Sequence, residues 1–181
     1  MKQVKTNNAT VELVQGNIVN QPDIAAIVNA ANAFLAPGGG VSGAIHRAAG
    51  PGLYEECKPL APIRAGECVI TGGHGLPNRF VIHCLGPVYG QDKPEAKLLA
   101  DCYRNALQLA DKNGVDSIAF PAISAGIFGY PLEDAARVAL KTVLEMAGKL
   151  HYVKRIRFVL FDKNAYLVFE RVLREITNEQ E

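Results

Sequence analysis

Glycines concentrate in one stretch of the chain, in a pattern that suits the binding of a phosphate group. Six of the seventeen glycines lie between residues 38 and 52, within the segment APGGGVSGAIHRAAGPG. Glycine lets the backbone approach a ligand closely, and the amides of a helix's first turn point outward toward an anion. A flexible surface loop is the alternative, but Ala44, Ile45 and Ala48 are packing residues rather than linker residues. The segment therefore predicts a phosphate-binding loop that opens a helix.

The same glycines match the GxGxxG pattern of dinucleotide-binding folds through Gly38, Gly40 and Gly43, but their setting differs. That pattern needs its first glycine directly after a strand and an acidic residue at the end of the next strand. Here residues 30–37 intervene, and Glu67 begins the next predicted strand. The lysine and Ser/Thr of a P-loop are missing as well. A nicotinamide-dependent oxidoreductase is therefore disfavoured, and no cofactor is expected.

A second glycine-flanked turn, AISAGIFGYP, follows the predicted strand at residues 117–121. Open α/β sheets bind ligands where a strand ends and a helix begins. The backbone amides from Ser124 to Phe128 could form another anion site there. A plain strand-to-helix connection explains either glycine-rich loop alone, whereas the two together favour one ligand with two adjacent phosphates.

Two asparagines, Asn29 and Asn32, stand in the segment VNAAN at the end of a predicted buried strand. An Asn side chain carries both a donor and an acceptor, so it can hold a ribose hydroxyl and a backbone group together. Turn formation at a strand end is an equally good interpretation.

Alternating strand and helix signals predict an α/β layered domain that would position these loops. Strands are predicted over residues 11–14, 25–29, 67–71, 79–85, 117–121 and 155–162. Helices are predicted over residues 43–49, 53–60, 94–112, 131–149 and 165–176. For the helix that starts near Pro94, Asp92 with Glu95 resembles a capping box and Gly114 provides the stop.

Composition narrows the class of protein further. The 181 residues predict one domain over 1–181, and a net charge of +1 without a basic cluster argues against a nucleic-acid partner. Neither a signal-like start nor an apolar run near the ~20 residues of a membrane span is present, so a cytoplasmic protein without membrane contact is expected. Because the cysteines and histidines lack close-spaced ligand pairs, we expect reduced thiols and no metal site. The sequence predicts no oligomeric state.

The segments GNIV, IVNAAN, GGGVSGAIHRAAGP, FVIHCLGPV and SIAFPAISAGIFGYP, in this order, resemble the macro domain, which binds ADP-ribose. The resemblance covers residues 11–173 and is closest to bacterial O-acetyl-ADP-ribose deacetylases and mono-ADP-ribosyl hydrolases. It implies a three-layer α/β/α fold with a mixed, mostly parallel central sheet and ligand at the C-terminal ends of the strands. The implied partners are ADP-ribose and its O-acetyl or protein-linked derivatives.

The resemblance also implies roles for individual residues. Those implied on the α-phosphate and distal-ribose side are Gly39, Gly40, Val41, Ser42 and Gly43. Those implied to cradle the diphosphate are Ser124, Ala125, Gly126, Ile127 and Phe128, with Phe128 against the distal ribose. Phe161 matches the aromatic residue that stacks on adenine, and Asn17 with Ile18 matches the pair that reads the adenine edge. Asn32 matches the residue that orients the distal ribose and the attacking water.

Three departures from the family pattern bear on activity. Asn17 replaces an Asp, so the adenine contact loses charge assistance, and Phe128 replaces the Tyr of some relatives at little cost. Ser42 replaces the Asp that active deacetylases of this branch commonly carry, and a Ser hydroxyl is not a base at neutral pH. His46, one helical turn beyond Ser42, is the only nearby base in sequence, and we expect it to be a packing or surface histidine.

Two functions are favoured by the sequence, ahead of the disfavoured nicotinamide-dependent oxidoreductase and a weakly supported RNA-binding role. A hydrolase would act on O-acetyl-ADP-ribose or on mono-ADP-ribosyl esters, with Asn32 and a substrate phosphate oxygen positioning the water and Ser42 as a hydrogen-bond partner. A non-catalytic reader module would bind ADP-ribose alone. The hydrolase is the favoured prediction, with firm binding and slow turnover.

Overall fold

Seven strands form one mixed sheet at the centre of the computed structural model, which describes residues 2–178. The strands are β1 (Lys2–Lys5), β2 (Thr10–Gln15), β3 (Ala26–Ala30), β4 (Cys68–Gly72), β5 (Phe80–Cys84), β6 (Ser117–Phe120) and β7 (Arg155–Leu160). Their order across the sheet is β1-β2-β7-β6-β3-β5-β4. The five inner strands are parallel, and the edge strands β1 and β4 pair antiparallel with β2 and β5.

Helices cover both faces of this sheet. They are α1 (Gly40–Ala49), α2 (Pro51–Cys57), α3 (Glu95–Lys112), α4 (Leu132–Ala147) and α5 (Lys163–Asn178), with a short 3-10 turn at Lys58–Leu60. Leu107 of α3, Leu140 of α4 and Leu173 of α5 belong to one apolar core, whereas Ile45 of α1 and Leu53 of α2 belong to the other. This arrangement confirms the expected α/β fold. No helix within the described chain is long and apolar enough to cross a membrane.

The observed elements agree with the expected ones to within a few residues, with two differences. Strand β1 was not predicted, and the capping box at the start of α3 is wrong. Asp92 instead accepts a hydrogen bond from the backbone N–H of Val88 at 2.8 Å, and Pro94 occupies the N-cap without a side-chain cap. Gly114 has φ +68° just after α3, as its expected role as the stop requires. Met1 and residues 179–181, included in the expected domain, lie outside the described residues.

The five parallel strands all end at one edge of the sheet, and each is followed there by a loop. From β2 through β7 and β6 to β3, the loops begin at Gly16, Phe161, Pro121 and Ala31. Adjacent strands lie about 4.8 Å apart, so these four strand ends span roughly 14 Å. The sheet order therefore brings most of the residues singled out in the amino-acid sequence to one edge of the sheet, where the strand order fixes their relative positions.

Candidate functional site

The loop after β6 presents several unpaired backbone N–H groups. Between residues 2 and 178, the N–H groups of Ser124, Gly126, Ile127 and Phe128 have no protein acceptor. Other backbone bonds shape the loop: the N–H of Tyr130 donates to the Ser124 carbonyl at 2.9 Å, and the N–H of Gly129 to the Gly126 carbonyl at 3.0 Å. Gly126 and Ile127 are exposed. Such a row of free donors can bind an anion.

The chain that follows β5 supports this loop. Ser124 has φ +65°, and its hydroxyl donates to the Pro87 carbonyl at 2.8 Å. The N–H of Tyr89 donates to the Phe128 carbonyl at 2.8 Å. Gly86 lies so close that a Cβ there would overlap the Ser124 hydroxyl. Only glycine at position 86 permits this packing, so Gly86 is a positioning residue for the loop.

Helix α1 presents a second group of free donors. The first backbone N–H of this helix that has a hydrogen-bond acceptor is that of Gly43, which donates to the Gly39 carbonyl at 3.2 Å. No side chain caps the helix. The N–H groups of Gly40, Val41 and Ser42 therefore have no acceptor in the described chain. Gly43 must be glycine, because a Cβ there would overlap the Gly38 carbonyl oxygen. Because β3 and β6 are neighbours, the segment that leads into α1 and the loop after β6 begin at adjacent strand ends.

Asn32 and Ser42 converge on one backbone group beside the start of α1. Asn32 Nδ2 donates to the Ala36 carbonyl at 2.8 Å, and the Ala36 N–H donates back to Asn32 Oδ1 at 3.0 Å. The Ser42 hydroxyl donates to the same Ala36 carbonyl at 3.3 Å. Asn32 is half-buried and Ser42 is buried. Asn32 and Ser42 thus share an acceptor, and the Asn32 amide keeps its second hydrogen for a ligand.

His46 lies one helical turn beyond Ser42 and is buried rather than on the surface. Its ring lies edge-on to Tyr54, with 6.3 Å between ring centroids. Neither ring nitrogen has a hydrogen-bond partner within residues 2–178. Burial lowers the pKa of His46 below its ordinary value, so the ring is neutral near pH 7. The expectation of a packing histidine agrees with this position.

Asn29 does not reach the loops at the strand-end edge of the sheet, and the expectation that it holds a ribose hydroxyl needs correction. Its side chain is fully buried, and its Nδ2 donates to His83 Nδ1 at 3.1 Å. The other ring nitrogen of His83 then donates to Thr71 Oγ1 at 2.9 Å. Asn29 lies inside β3, where successive side chains alternate between faces, and it points toward the α1 layer with Ile27. Its role in this structure is to hold His83.

The loop after β2 contains the two residues expected at the adenine edge. Asn17 is exposed, and its Oδ1 accepts from the Val19 N–H at 3.1 Å, which leaves the side-chain amide hydrogens free. Ile18 is buried in the core, so only its backbone could contact a ligand. Phe161 follows β7 at the neighbouring strand end and is 80% exposed, as an aromatic ring that stacks on a base would be before it binds.

Charged residues on the sheet fix this loop. Arg157 contacts both carboxylate oxygens of Asp23 at 2.8–2.9 Å and Glu12 at 3.0 Å. Arg155 bridges the same two carboxylates at 2.9 Å each. Hydrogen bonding to Arg157, with a second bond from Arg155, holds the pKa of Asp23 well below its usual range. The loop after β2 is therefore anchored at its far end by an ion-pair network.

Three groups that shape the site were not identified from the sequence. Gly86 lies in the segment FVIHCLGPV, and its Gly-Pro pair could have been interpreted as a turn signal. The Ala36 carbonyl carries no side-chain signal at all. Arg157 lies 136 residues from Gln21, to which it donates at 2.8 Å, so no local pattern could have revealed that contact.

Comparison with known proteins agrees with this fold. Residues 28–139 match the family model described as "Macro domain". A Klebsiella pneumoniae (strain 342) protein named O-acetyl-ADP-ribose deacetylase is 47% identical over 168 residues, covering 90% of this chain and 95% of its own length. The Oceanobacillus iheyensis macrodomain with ADP superposes with a TM-score of 0.94 at 39% identity, covering 98% of this chain and 97% of that one. The Trypanosoma brucei macrodomain in complex with ADP-ribose superposes with a TM-score of 0.83 at 40% identity, covering 89% and 68%. On this similarity of sequence and structure, the chain belongs to the macro domain family.

Proposed function

We propose that this chain binds ADP-ribose along the C-terminal edge of its sheet and hydrolyses O-acetyl-ADP-ribose or mono-ADP-ribosyl esters. One observation carries the proposal. Two groups of unpaired backbone N–H donors lie at the start of α1 and in the loop after β6, and the segments that contain them begin at the neighbouring ends of β3 and β6. Such a pair suits two linked phosphates, because backbone donors and a helix N-terminus favour negative charge.

The strand order supports one direction for the ligand. Adenine would stack on Phe161 and meet Asn17 and the backbone of Ile18 at the β7 and β2 ends. The diphosphate would accept hydrogen bonds from the loop that contains Ser124, Ala125, Gly126, Ile127 and Phe128. The distal ribose would lie beside Asn32 and the start of α1, which contains Gly39, Gly40, Val41 and Gly43. The Oceanobacillus iheyensis macrodomain with ADP and the Trypanosoma brucei macrodomain in complex with ADP-ribose support this class of ligand.

Hydrolysis would join water to the acyl carbon and break the ester bond to the ribose oxygen, which gives acetate and ADP-ribose. Neither Asn32 nor Ser42 is a base, so a proton of the attacking water would pass to a phosphate oxygen of the substrate and from there to the departing ribose oxygen, while the second proton is released to solvent with the acetate. Asn32 would orient that water through its amide, and Ser42 would hold the Ala36 carbonyl in place. Because general-base help is worth about 10²–10⁴-fold in rate, turnover is expected to be slow.

Binding is tested by calorimetric titration with ADP-ribose of the wild type and of Gly126→Val. A Cβ at Gly126 meets nothing within 4 Å, so the variant should fold normally while its side chain fills the space around the free N–H groups. We expect at least a roughly tenfold loss of affinity, as the loss of more than one good hydrogen bond implies. The matched control is Gly148→Val at the end of α4, another glycine with open surroundings, which should bind as the wild type does. Equal affinity in all three proteins contradicts the proposed diphosphate site.

Catalysis is tested separately, by acetate release from O-acetyl-ADP-ribose under single-turnover conditions. A hydrolase releases acetate faster than buffer does, and Asn32→Ala should abolish the difference. The second candidate, a non-catalytic reader, is favoured by Ser42, whose buried hydroxyl is engaged with Ala36 and cannot act as a base. A protein that binds ADP-ribose firmly but releases no acetate above the buffer rate would be this reader.

A further inference from the structure

Three cysteines gather where the edge strand β4 packs against β5 and α3. The Cys68 and Cys84 sulfurs are in direct contact, and the Cys68 sulfur also lies 3.4 Å from the Cys102 carbonyl oxygen. The Cys102 thiol donates to the Leu85 carbonyl at 3.1 Å. All three are free thiols, and in the part of the chain that the structure describes no group of three or more His, Cys, Asp or Glu could hold a metal ion. The three cysteines therefore form one thiol cluster near the edge of the sheet.

The strand register places Cys68 and Cys84 opposite each other. They are direct partners in the antiparallel β4–β5 ladder. The Leu85 N–H donates to the Glu67 carbonyl at 3.2 Å, so the flanking pair is the hydrogen-bonded one and the cysteine pair is the closely spaced one. Such pairs have Cα atoms about 4.5 Å apart, within the roughly 4.4–6.8 Å that disulfides span. The backbone can thus accept a bond between these two sulfurs without a change of register.

Cys68 is the less buried of the two facing cysteines. Cys68 is half-buried and lines a cleft of about 330 Å³ between the start of β4 and α3, together with Glu67, Asn105, Gln108, Leu109 and Lys112. Cys84 and Cys102 are fully buried, and burial together with the neighbouring thiols raises the pKa of each. Because the thiolate is the form that reacts and the other two cysteines are fully buried, we expect an oxidant in this cleft to attack Cys68 first.

We propose that Cys68 and Cys84 form a reversible disulfide site, oxidised by a peroxide that enters through this cleft. The peroxide transfers one oxygen to the Cys68 sulfur, which becomes a sulfenic acid while the peroxide is reduced to water or an alcohol. The Cys84 sulfur then attacks the Cys68 sulfur, the S–O bond breaks, and the hydroxyl leaves as water with the proton of the Cys84 thiol. Overall, two thiols lose two electrons and two protons, and the peroxide gains them.

The expected consequence is a change of stability rather than of the ligand site. The Cys84 carbonyl accepts from the Ala31 N–H at 2.9 Å, next to Asn32, but the two sulfurs are already in contact and little movement is needed. The bond would close a loop over residues 69–83 and restrict the unfolded chain. For a chain of this length we expect Tm to rise by roughly 5–10 °C on oxidation. ADP-ribose affinity should stay the same.

The test uses the whole chain, reduced, freed of reductant and treated with hydrogen peroxide. Thiols are then alkylated in denaturant and located by peptide mass spectrometry, with a thermal melt on the same sample. The proposal expects two of the four thiols to disappear, a crosslinked peptide joining Cys68 to Cys84, the rise in Tm, and full reversal by dithiothreitol. Cys84→Ala should abolish both the crosslink and the rise in Tm. Cys57 is a buried cysteine on α2, and its sulfur lies 3.7 Å from His83 Nε2. The variant Cys57→Ala should abolish neither the crosslink nor the rise in Tm.

Three results would overturn the proposal. One is a chain that keeps all four thiols at peroxide levels that oxidise free cysteine. Another is a crosslink from Cys68 to Cys102 in the wild type, which would show that the helix supplies the second sulfur. The third is Cys68 found only as a sulfinic acid, since Cys84 would then have failed to capture the sulfenic acid. The thiol count needs no nucleotide, so it is independent of whether ADP-ribose binds.

Discussion

The side chain of Gln21 joins the backbone of Asn17 to the centre of the sheet. Gln21 Nε2 donates to the Asn17 carbonyl at 3.0 Å, and Gln21 Oε1 accepts from Arg157 at 2.8 Å. Both Gln21 and Arg157 are buried. Arg157 is in turn fixed by Glu12 on β2 and by Asp23. A chain of hydrogen bonds therefore runs from the ion-pair network to the residue expected at the base of the ligand.

We predict that Gln21→Ala weakens ADP-ribose binding by roughly fivefold to tenfold, equivalent to about one hydrogen bond of positioning. The Asn17 carbonyl and the Arg157 guanidinium would each lose a partner, and the loop after β2 would be free to move. Titration of each protein with ADP-ribose measures the effect. Asn20→Ala in the same loop is the matched control, because Asn20 is exposed and makes only a backbone bond. An unchanged affinity in Gln21→Ala would show that the loop does not contact the ligand.

A second prediction concerns Asn17 itself. Asn17→Asp should tighten ADP-ribose binding by about 1 kcal/mol, roughly fivefold, because a carboxylate accepts a hydrogen bond from the adenine amino group with charge assistance. The Val19 N–H would still be satisfied, since it already donates to Oδ1. Asn20→Asp adds the same charge three residues away and should leave affinity unchanged. Equal or weaker binding in Asn17→Asp, measured by the same titration, would remove Asn17 from the adenine contact.

The two asparagines of VNAAN show which parts of the site the sequence could and could not predict. Asn29 is within β3, and alternation of side chains along a strand places it under α1 with Ile27, whereas Asn32 lies beyond the strand end. Residue type alone made the two equivalent. The positions of the glycine-rich loops could be predicted because glycine runs and strand ends are local signals. The four-residue strand β1 could not, since KQVK has one apolar residue and alternation is too short to detect.

Ser42 provides the third prediction. Ser42→Asp should raise acetate release from O-acetyl-ADP-ribose by roughly 10²-fold, because the carboxylate can take the proton of the attacking water. Residue 42 lies in the first turn of α1, where the helix N-terminus stabilises a negative charge, whereas burial at this position opposes ionisation. Ser42→Asn introduces a side chain that is similar in size to Asp but is not a base, so it should give no increase in acetate release. If Ser42→Asp folds and binds ADP-ribose but shows no gain in rate, Ser42 does not limit turnover.

The fourth prediction tests the support of the diphosphate loop. In Gly86→Ala the new Cβ overlaps the Ser124 hydroxyl and lies 2.6 Å from Ile123 Cγ2, so the loop must shift. We expect a loss of about 1–3 kcal/mol in the free energy of unfolding and roughly tenfold weaker ADP-ribose binding. Gly148→Ala has open space around the added methyl and should change neither quantity.

A double variant separates crowding from other effects at position 86. Ser124→Gly removes the hydroxyl and its Cβ and suits the φ of +65° at that position. Gly86→Ala should therefore cost less stability in a Ser124→Gly background than in the wild type, as expected of residues in contact. Strictly additive changes in the free energy of unfolding would mean that Gly86 does not act through Ser124.

The buried pair of His83 and Asn29 gives the fifth prediction, on pH dependence. Burial, with a smaller contribution from His46, lowers the pKa of His83 to about 3. In the unfolded chain this ring has the ordinary pKa of 6.5, so below that pH the unfolded state binds a proton that the folded state does not. Stability is therefore lost as the pH falls below 6.5. Between pH 7 and pH 5 the loss due to His83 is about 2 kcal/mol.

Urea unfolding at pH 7 and pH 5 measures this loss in the free energy of unfolding while most carboxylates stay ionised. His83→Gln keeps an acceptor for Asn29 and a donor for Thr71 but cannot take up the proton, so its stability should fall by about 2 kcal/mol less than that of the wild type. Should His83→Gln fail to fold, the ring C–H resonances of His83 in the wild type give a second measurement, because a neutral ring shows no shift between pH 7 and pH 5. A titration midpoint within that interval would contradict the buried, neutral state on which the link between Asn29 and Thr71 depends.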